Sequence, residues 1–132
     1  MTQDNPVSEL RLAVTVADYP AALAFYRDAL GLPVVGVWDG ENGRGCALDA
    51  GRATLELLDE THAAFVDQVE VGRRVAGPIR VALRVADSAA TAEALTGAGA
   101  TQLAPPAVTP WNDVNVRLSA PDGLQLTLFS AG

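Results

Sequence analysis

Residues 10–22 and 79–91 align without a gap at a spacing of 69, so Arg11, Ala13, Val16, Ala17, Asp18 and Ala21 recur as Arg80, Ala82, Val85, Ala86, Asp87 and Ala90. A chain that builds one unit twice is restricted to folds in which the copies pack about a pseudo-two-fold axis. Such packing opens a cleft to which both copies contribute matching positions. Candidate functional residues are therefore the inward-pointing ones at equivalent places.

Within the first copy, Leu10, Leu12, Val14 and Val16 alternate with Arg11, Ala13 and Thr15, the period of a half-buried strand. Asp18 is placed to cap a helix with Pro20 in its first turn and Leu23, Tyr26 and Leu30 on one side, ended by Gly31 and Pro33. Strands are expected at 34–38, 46–48 and 54–58, with a glycine-rich turn at 39–45. The second copy repeats the order: a strand at 81–85, an alanine-rich helix from about 89 to 98, and strands near 102–103, 114–118 and 125–129. Pro105, Pro106 and Pro110 stiffen its loop. This reads as one domain, 1–132, with module one at about 7–59, a more polar linker at about 60–78 and module two at about 79–130. Phe65 and Val69 are helically spaced, which predicts a short helix in the linker, a candidate interface element.

Composition narrows the function. A chain of 132 residues, 49% hydrophobic, can bury one core without staples. Its net charge of -7 opposes a nucleic-acid partner, because phosphate-backbone binders are basic. Cys46 is the single cysteine, so no internal disulfide forms, and nothing nearby marks it as a nucleophile; it reads as a small buried apolar residue. The N-terminal stretch MTQDNPVSEL carries acids and no apolar run, so neither a signal peptide nor a membrane span is expected, and a cytoplasmic location is.

The paired strand–helix–strand–strand–strand units, the VADYPAALAFYRDALGL segment, the GRATLELLD strand and the PWNDVNVRLSAPDGLQLTLF ending together resemble the vicinal oxygen chelate superfamily, the glyoxalase, bleomycin-resistance and dioxygenase fold. The resemblance covers nearly the whole chain and implies an α+β fold: two tandem βαβββ modules forming cupped mixed sheets around a cleft, commonly in a homodimer. It leaves activity open, since the superfamily holds metalloenzymes as well as proteins that only sequester an antibiotic. In enzymes of this kind four positions ligate a metal, and they match Arg11, Glu56, Arg80 and Thr127 of this chain. A guanidinium has no lone pair to donate and repels a cation, so the resemblance points to the metal-free branch, without cofactor.

Strand alternation then writes out the inward face. The candidate ligand-binding residues are Arg11, Trp38, Glu56, Arg80, Trp111, Asn115, Arg117 and Thr127. Arg11 and Arg80 also suit a salt bridge to Glu56 that fills the former metal centre, and Arg117 also suits an ordinary surface position. Trp38 and Trp111 read either as rim residues that stack on a flat ligand or as caps on the sheet edge. His62, the only histidine, reads as an exposed linker residue. Two functions stay open. One is a protein that binds and sequesters an aromatic or polyoxygenated drug or natural product. The other is a metal-independent isomerase, lyase or cyclase in which Glu56 is the general base and Arg11 or Arg80 stabilises an enolate-like intermediate.

Overall fold

The duplicated capping signal is executed twice: Asp18 Oδ1 accepts the Ala21 N–H at 3.0 Å, and Asp87 Oδ1 accepts the Ala90 N–H at 3.1 Å. The computed structural model describes residues 5–132, and the first four residues of the N-terminal stretch discussed above lie outside it. Strand β1 (Glu9–Thr15) leads into α1 (Tyr19–Leu23), which runs on into π-helical turns over Ala24–Ala29; β2 (Val34–Gly40), β3 (Gly43–Asp49) and β4 (Thr54–Leu58) follow. After α2 (Glu60–Glu70) come β5 (Ile79–Arg84), α3 (Ser88–Gly97), β6 (Thr101–Gln102), β7 (Ala107–Val108), β8 (Asp113–Ser119) and β9 (Gln125–Ala131). The two-residue β7, inside the proline-rich loop, has no counterpart in the expected order.

The fold is α+β, as the resemblance implied. Its two modules share one curved, unclosed mixed sheet in the order β2-β3-β4-β1-β5-β9-β8-β6, with β7 added on β8. The antiparallel pairing of β1 with β5 joins the modules within the chain. In that ladder Leu12 faces Val81. These are also equivalent residues of the repeat, so the pseudo-dyad passes through this pair.

Successive side chains of a strand point to opposite faces, and the two faces are used differently. On the outer face, α1 covers a cluster built on Tyr19, Cys46, Leu48 and Leu57, and α3 covers one built on Val85, Ala92, Val116, Leu118 and Leu128. Cys46 is buried there as a free thiol. On the concave face, Ala13 and Leu58 pack against Ala63 of α2, with Trp38 alongside. Among the described residues no helix is long and apolar enough to cross a membrane.

The helix expected in the linker spans Glu60–Glu70, eleven residues, and packs into the cup. One expectation is corrected. Leu30, placed on the buried side of the first helix, is 62% exposed. There the Leu30 N–H reaches Phe25 O, five residues back, and the longer period turns Leu30 outward while Leu23 and Tyr26 stay packed.

Candidate functional site

Two rows of the ladder set the cleft floor. Across the first, Ala47 faces Glu56, Glu56 faces Ala13, and Ala13 faces Arg80. Across the second, Thr54 faces Arg11, Arg11 faces Ala82, Ala82 faces Thr127, and Thr127 faces Arg117. Glu56 and Thr127 are thus equivalent positions of the two modules, one beside Ala13 and the other beside Ala82. Small alanines at the two central places leave room above the floor for the side chains of Arg11 and Arg80. The resulting cavity has a volume of about 610 Å³ and is lined by Arg11, Trp38, Glu56, Arg80, Trp111, Asn115 and Thr127, among others.

Arg117 is the exception. It is wholly buried and does not line the cavity, which corrects both its assignment as a ligand contact and its reading as surface arginine. Its Nη1 donates to Asp67 Oδ1 and to Gln125 Oε1, both at 2.8 Å, and its Nε to Glu70 Oε1 at 3.1 Å. Nη2 also lies 3.0 Å from Glu70 Oε1, off the hydrogen-bond axis. Asp67 Oδ2 in turn accepts the N–H groups of Val75 and Ala76 at 2.7 and 2.8 Å and Arg74 Nη1 at 3.0 Å. Burial alone would raise the Asp67 pKa, but those two N–H groups and Arg117 outweigh it and hold it below the ordinary value. This network ties the C-terminal half of α2 to module two, while its N-terminal half packs on module one through Ala63, Ala13 and Leu58.

The floor of the cavity carries the reactive charge. Thr127 donates its hydroxyl proton to Glu70 Oε1 at 2.8 Å, which leaves its oxygen to accept Arg80 Nη1 at 2.9 Å. That is the one hydrogen bond the Arg80 side chain makes among the described residues, although it is only 7% exposed and its guanidinium has five donors. Burial lowers its pKa, opposed chiefly by Glu70 and Glu56. Glu56 is 9% exposed and its carboxylate accepts no hydrogen bond among the described residues; the charge within salt-bridge distance is Arg11 Nη1, 3.6 Å from Oε2. Arg11 itself is drawn mainly to Glu9, at 2.6 Å, so the expected salt bridge to Glu56 is partial. Burial raises the Glu56 pKa by more than Arg80 and Arg11 lower it.

The walls come from α2 and the β2–β3 hairpin. His62, Phe65, Val66 and Glu70 of α2 line the cavity. The His62 ring stands between Trp38, with centroids 5.6 Å apart, and Phe65, at 5.8 Å. Half-buried there, His62 is a cavity residue and not the exposed linker histidine expected. Trp111, 46% exposed, sits at the edge, while Trp38 is half-buried with an unpartnered Nε1. Sequence reasoning missed the α2 wall, yet a signal was present: Asp59 caps the helix by accepting the His62 N–H at 2.8 Å, and His62, Val66 and Glu70 repeat every fourth residue, on one helix face.

The four positions that the fold would use for a metal are Arg11, Glu56, Arg80 and Thr127, and this donor set does not fit a divalent cation. Two of the four are guanidiniums, Thr127 is engaged with both Arg80 and Glu70, and Glu56 alone offers a free anionic oxygen. No cluster of three or more His, Cys, Asp or Glu residues suited to a metal occurs among the described residues.

Comparison with known proteins gives a family model, the Glyoxalase/Bleomycin resistance protein/Dioxygenase superfamily, that matches residues 10–128. Similar solved structures include a hypothetical protein of Bacillus halodurans C-125, with a TM-score of 0.68 at 17% identity over 92% of each chain. Methylmalonyl-CoA epimerase of Mycobacterium tuberculosis has a TM-score of 0.68 at 20% identity, over 100% of this chain and 93% of that one. A glyoxalase/bleomycin resistance protein/dioxygenase superfamily member of Vibrio splendidus 12B01 has a TM-score of 0.67 at 11% identity, over 92% and 97%. At these identities the likeness is one of fold. No curated protein matches the chain.

Proposed function

We propose a function for a chain that belongs to the glyoxalase/bleomycin resistance protein/dioxygenase superfamily: it is a metal-free small-molecule-binding protein whose cleft sequesters a flat aromatic or polyoxygenated drug or natural product. One observation carries this reading. At the base of a cavity walled by Trp38, His62, Phe65 and Phe129, the nearly buried guanidinium of Arg80 spends a single donor on the described residues. Such a group is left to pair with a carboxylate, phenolate or quinone oxygen, while the rings supply stacking area for the body that carries it. The binding unit we propose is a homodimer. Strand β2 is one edge of the sheet, and Val35 and Val37 on it are 62% and 68% exposed.

Quenching of tryptophan fluorescence by flat anions, with 2-naphthoate as the first probe, tests the reading. Saturable quenching by wild type, weakened about 30-fold in Arg80→Gln, is the expected result, because a charged hydrogen bond is worth about 2 kcal/mol. Absence of saturable binding by any flat anion rejects it.

A second reading is favoured by Glu56, whose carboxylate is buried, free of hydrogen bonds and raised in pKa. As the general base of an isomerase, lyase or cyclase it would take a proton from the carbon beside a ligand carbonyl while the free Arg80 donors hold the oxygen on which charge develops. Exchange of that proton with deuterated solvent separates the readings. An enzyme exchanges it and Glu56→Gln abolishes exchange with affinity intact, whereas a sequestering protein binds without exchange.

A further inference from the structure

The β2–β3 hairpin tip is fastened to the start of α2. Asp59 Oδ2 accepts the Arg44 N–H at 3.0 Å, the Asp59 N–H donates to Arg44 O at 3.0 Å, and His62 Nδ1 lies 2.9 Å from the backbone oxygen of Asn42. A carbonyl oxygen can only accept, so the imidazole proton sits on Nδ1 and the lone pair on Nε2. Nε2 has no partner among the described residues and is not among the buried unpaired atoms, which are Trp38 Nε1, Asn115 Oδ1 and Arg117 Nη2. It is therefore accessible, on a ring that lines the cavity.

We infer that His62 orients the ligand, its Nε2 accepting a hydrogen bond from a hydroxyl or ring N–H on the ligand's planar body while Arg80 holds an acidic or carbonyl oxygen at the other end. This rests on the ligand-binding reading above and narrows the ligand class to hydroxylated or N–H-bearing aromatic acids and ketones. Burial lowers the His62 pKa, opposed by the Asn42 carbonyl and Asp59 and assisted by Arg80, so the ring is neutral and an acceptor at pH 7.

Two probes that differ by one hydroxyl test it: 2-naphthoate and 6-hydroxy-2-naphthoate, titrated into the wild type and His62→Phe. The hydroxylated probe should bind wild type about tenfold more tightly, and in His62→Phe the ratio of the two affinities should fall to about one, whatever the variant does to both probes alike. Because His62 is the only histidine, its ring nitrogens are unambiguous in a nitrogen-15 spectrum of the wild-type protein, so the inference does not depend on the variant folding. The spectrum should show a proton on Nδ1, and Nε2 should shift with the hydroxylated probe alone. Equal binding of the two probes, or a neutral ring protonated on Nε2, overturns the role of His62 and leaves the ligand-binding reading standing. Failure of both probes to bind removes the reading and the inference with it.

Discussion

A Cβ at Gly45 would overlap Trp38 Nε1, and one at Gly43, where φ is +90°, would overlap the backbone nitrogen of His62. Both glycines are set by the wall of the cavity rather than by the hairpin alone. Gly45→Ala should therefore displace the indole and cost about 1–3 kcal/mol by overpacking, read as a lowered urea midpoint with a shifted tryptophan emission. Glu56 makes a different prediction. Its folded pKa lies above the ordinary 4.5, so its contribution to stability is fully present below that value and is lost as pH rises through the folded pKa. Glu56→Gln should match wild type in urea unfolding at pH 4 and exceed it at pH 8; equal stability at both would show that the carboxylate carries no burial penalty. The floor residues themselves were legible in the sequence, because strand alternation fixes which side chains share a face and the repeat fixes which are equivalent. Arg117 was not legible in the same way: alternation put it on the inner face, but nothing local said that a helix would cover it.

Among the elements, α2 shows where reading by pattern stops. Its buried side includes Asp67 and Glu70 along with Ala63 and Val66, so its inner face is as charged as it is apolar and no hydrophobic stripe marks it. The strands and capped helices were read nearly in place, since each is specified by its own neighbours in sequence. The seat of α2 is specified by Arg117, fifty residues away from Asp67. Asp67→Asn should cost about 3 kcal/mol or more, because it leaves a wholly buried guanidinium short of a counter-charge. Urea unfolding checks this, with loss of 2-naphthoate binding expected alongside as the α2 wall loosens. The depressed Asp67 pKa gives stability that is present above 3.8 and is lost as pH falls through the folded value, so part of the acid sensitivity of the wild type should vanish in that variant.

For the molecule as a whole, the exposed edge strand predicts a scattering mass of about twice the 13.7 kDa chain, and Val37→Lys, which places a charge on that edge, should return the chain value. A wild-type mass of one chain at micromolar concentration would reject the dimer. The pseudo-dyad through Leu12 and Val81 has a consequence for handedness. A cup with true two-fold symmetry would accept a ligand equally well in two orientations, each the half-turn of the other. Here the duplicated scaffold differs at its centre: on one side the Glu56 carboxylate accepts no hydrogen bond among the described residues, and on the other Thr127 is tied to Arg80 and to Glu70 of α2. A bound molecule is thus offered one orientation and one exposed carboxylate, so any planar carbon beside its carbonyl meets that carboxylate from a single face, and mirror-image forms of a chiral ligand are unequal guests.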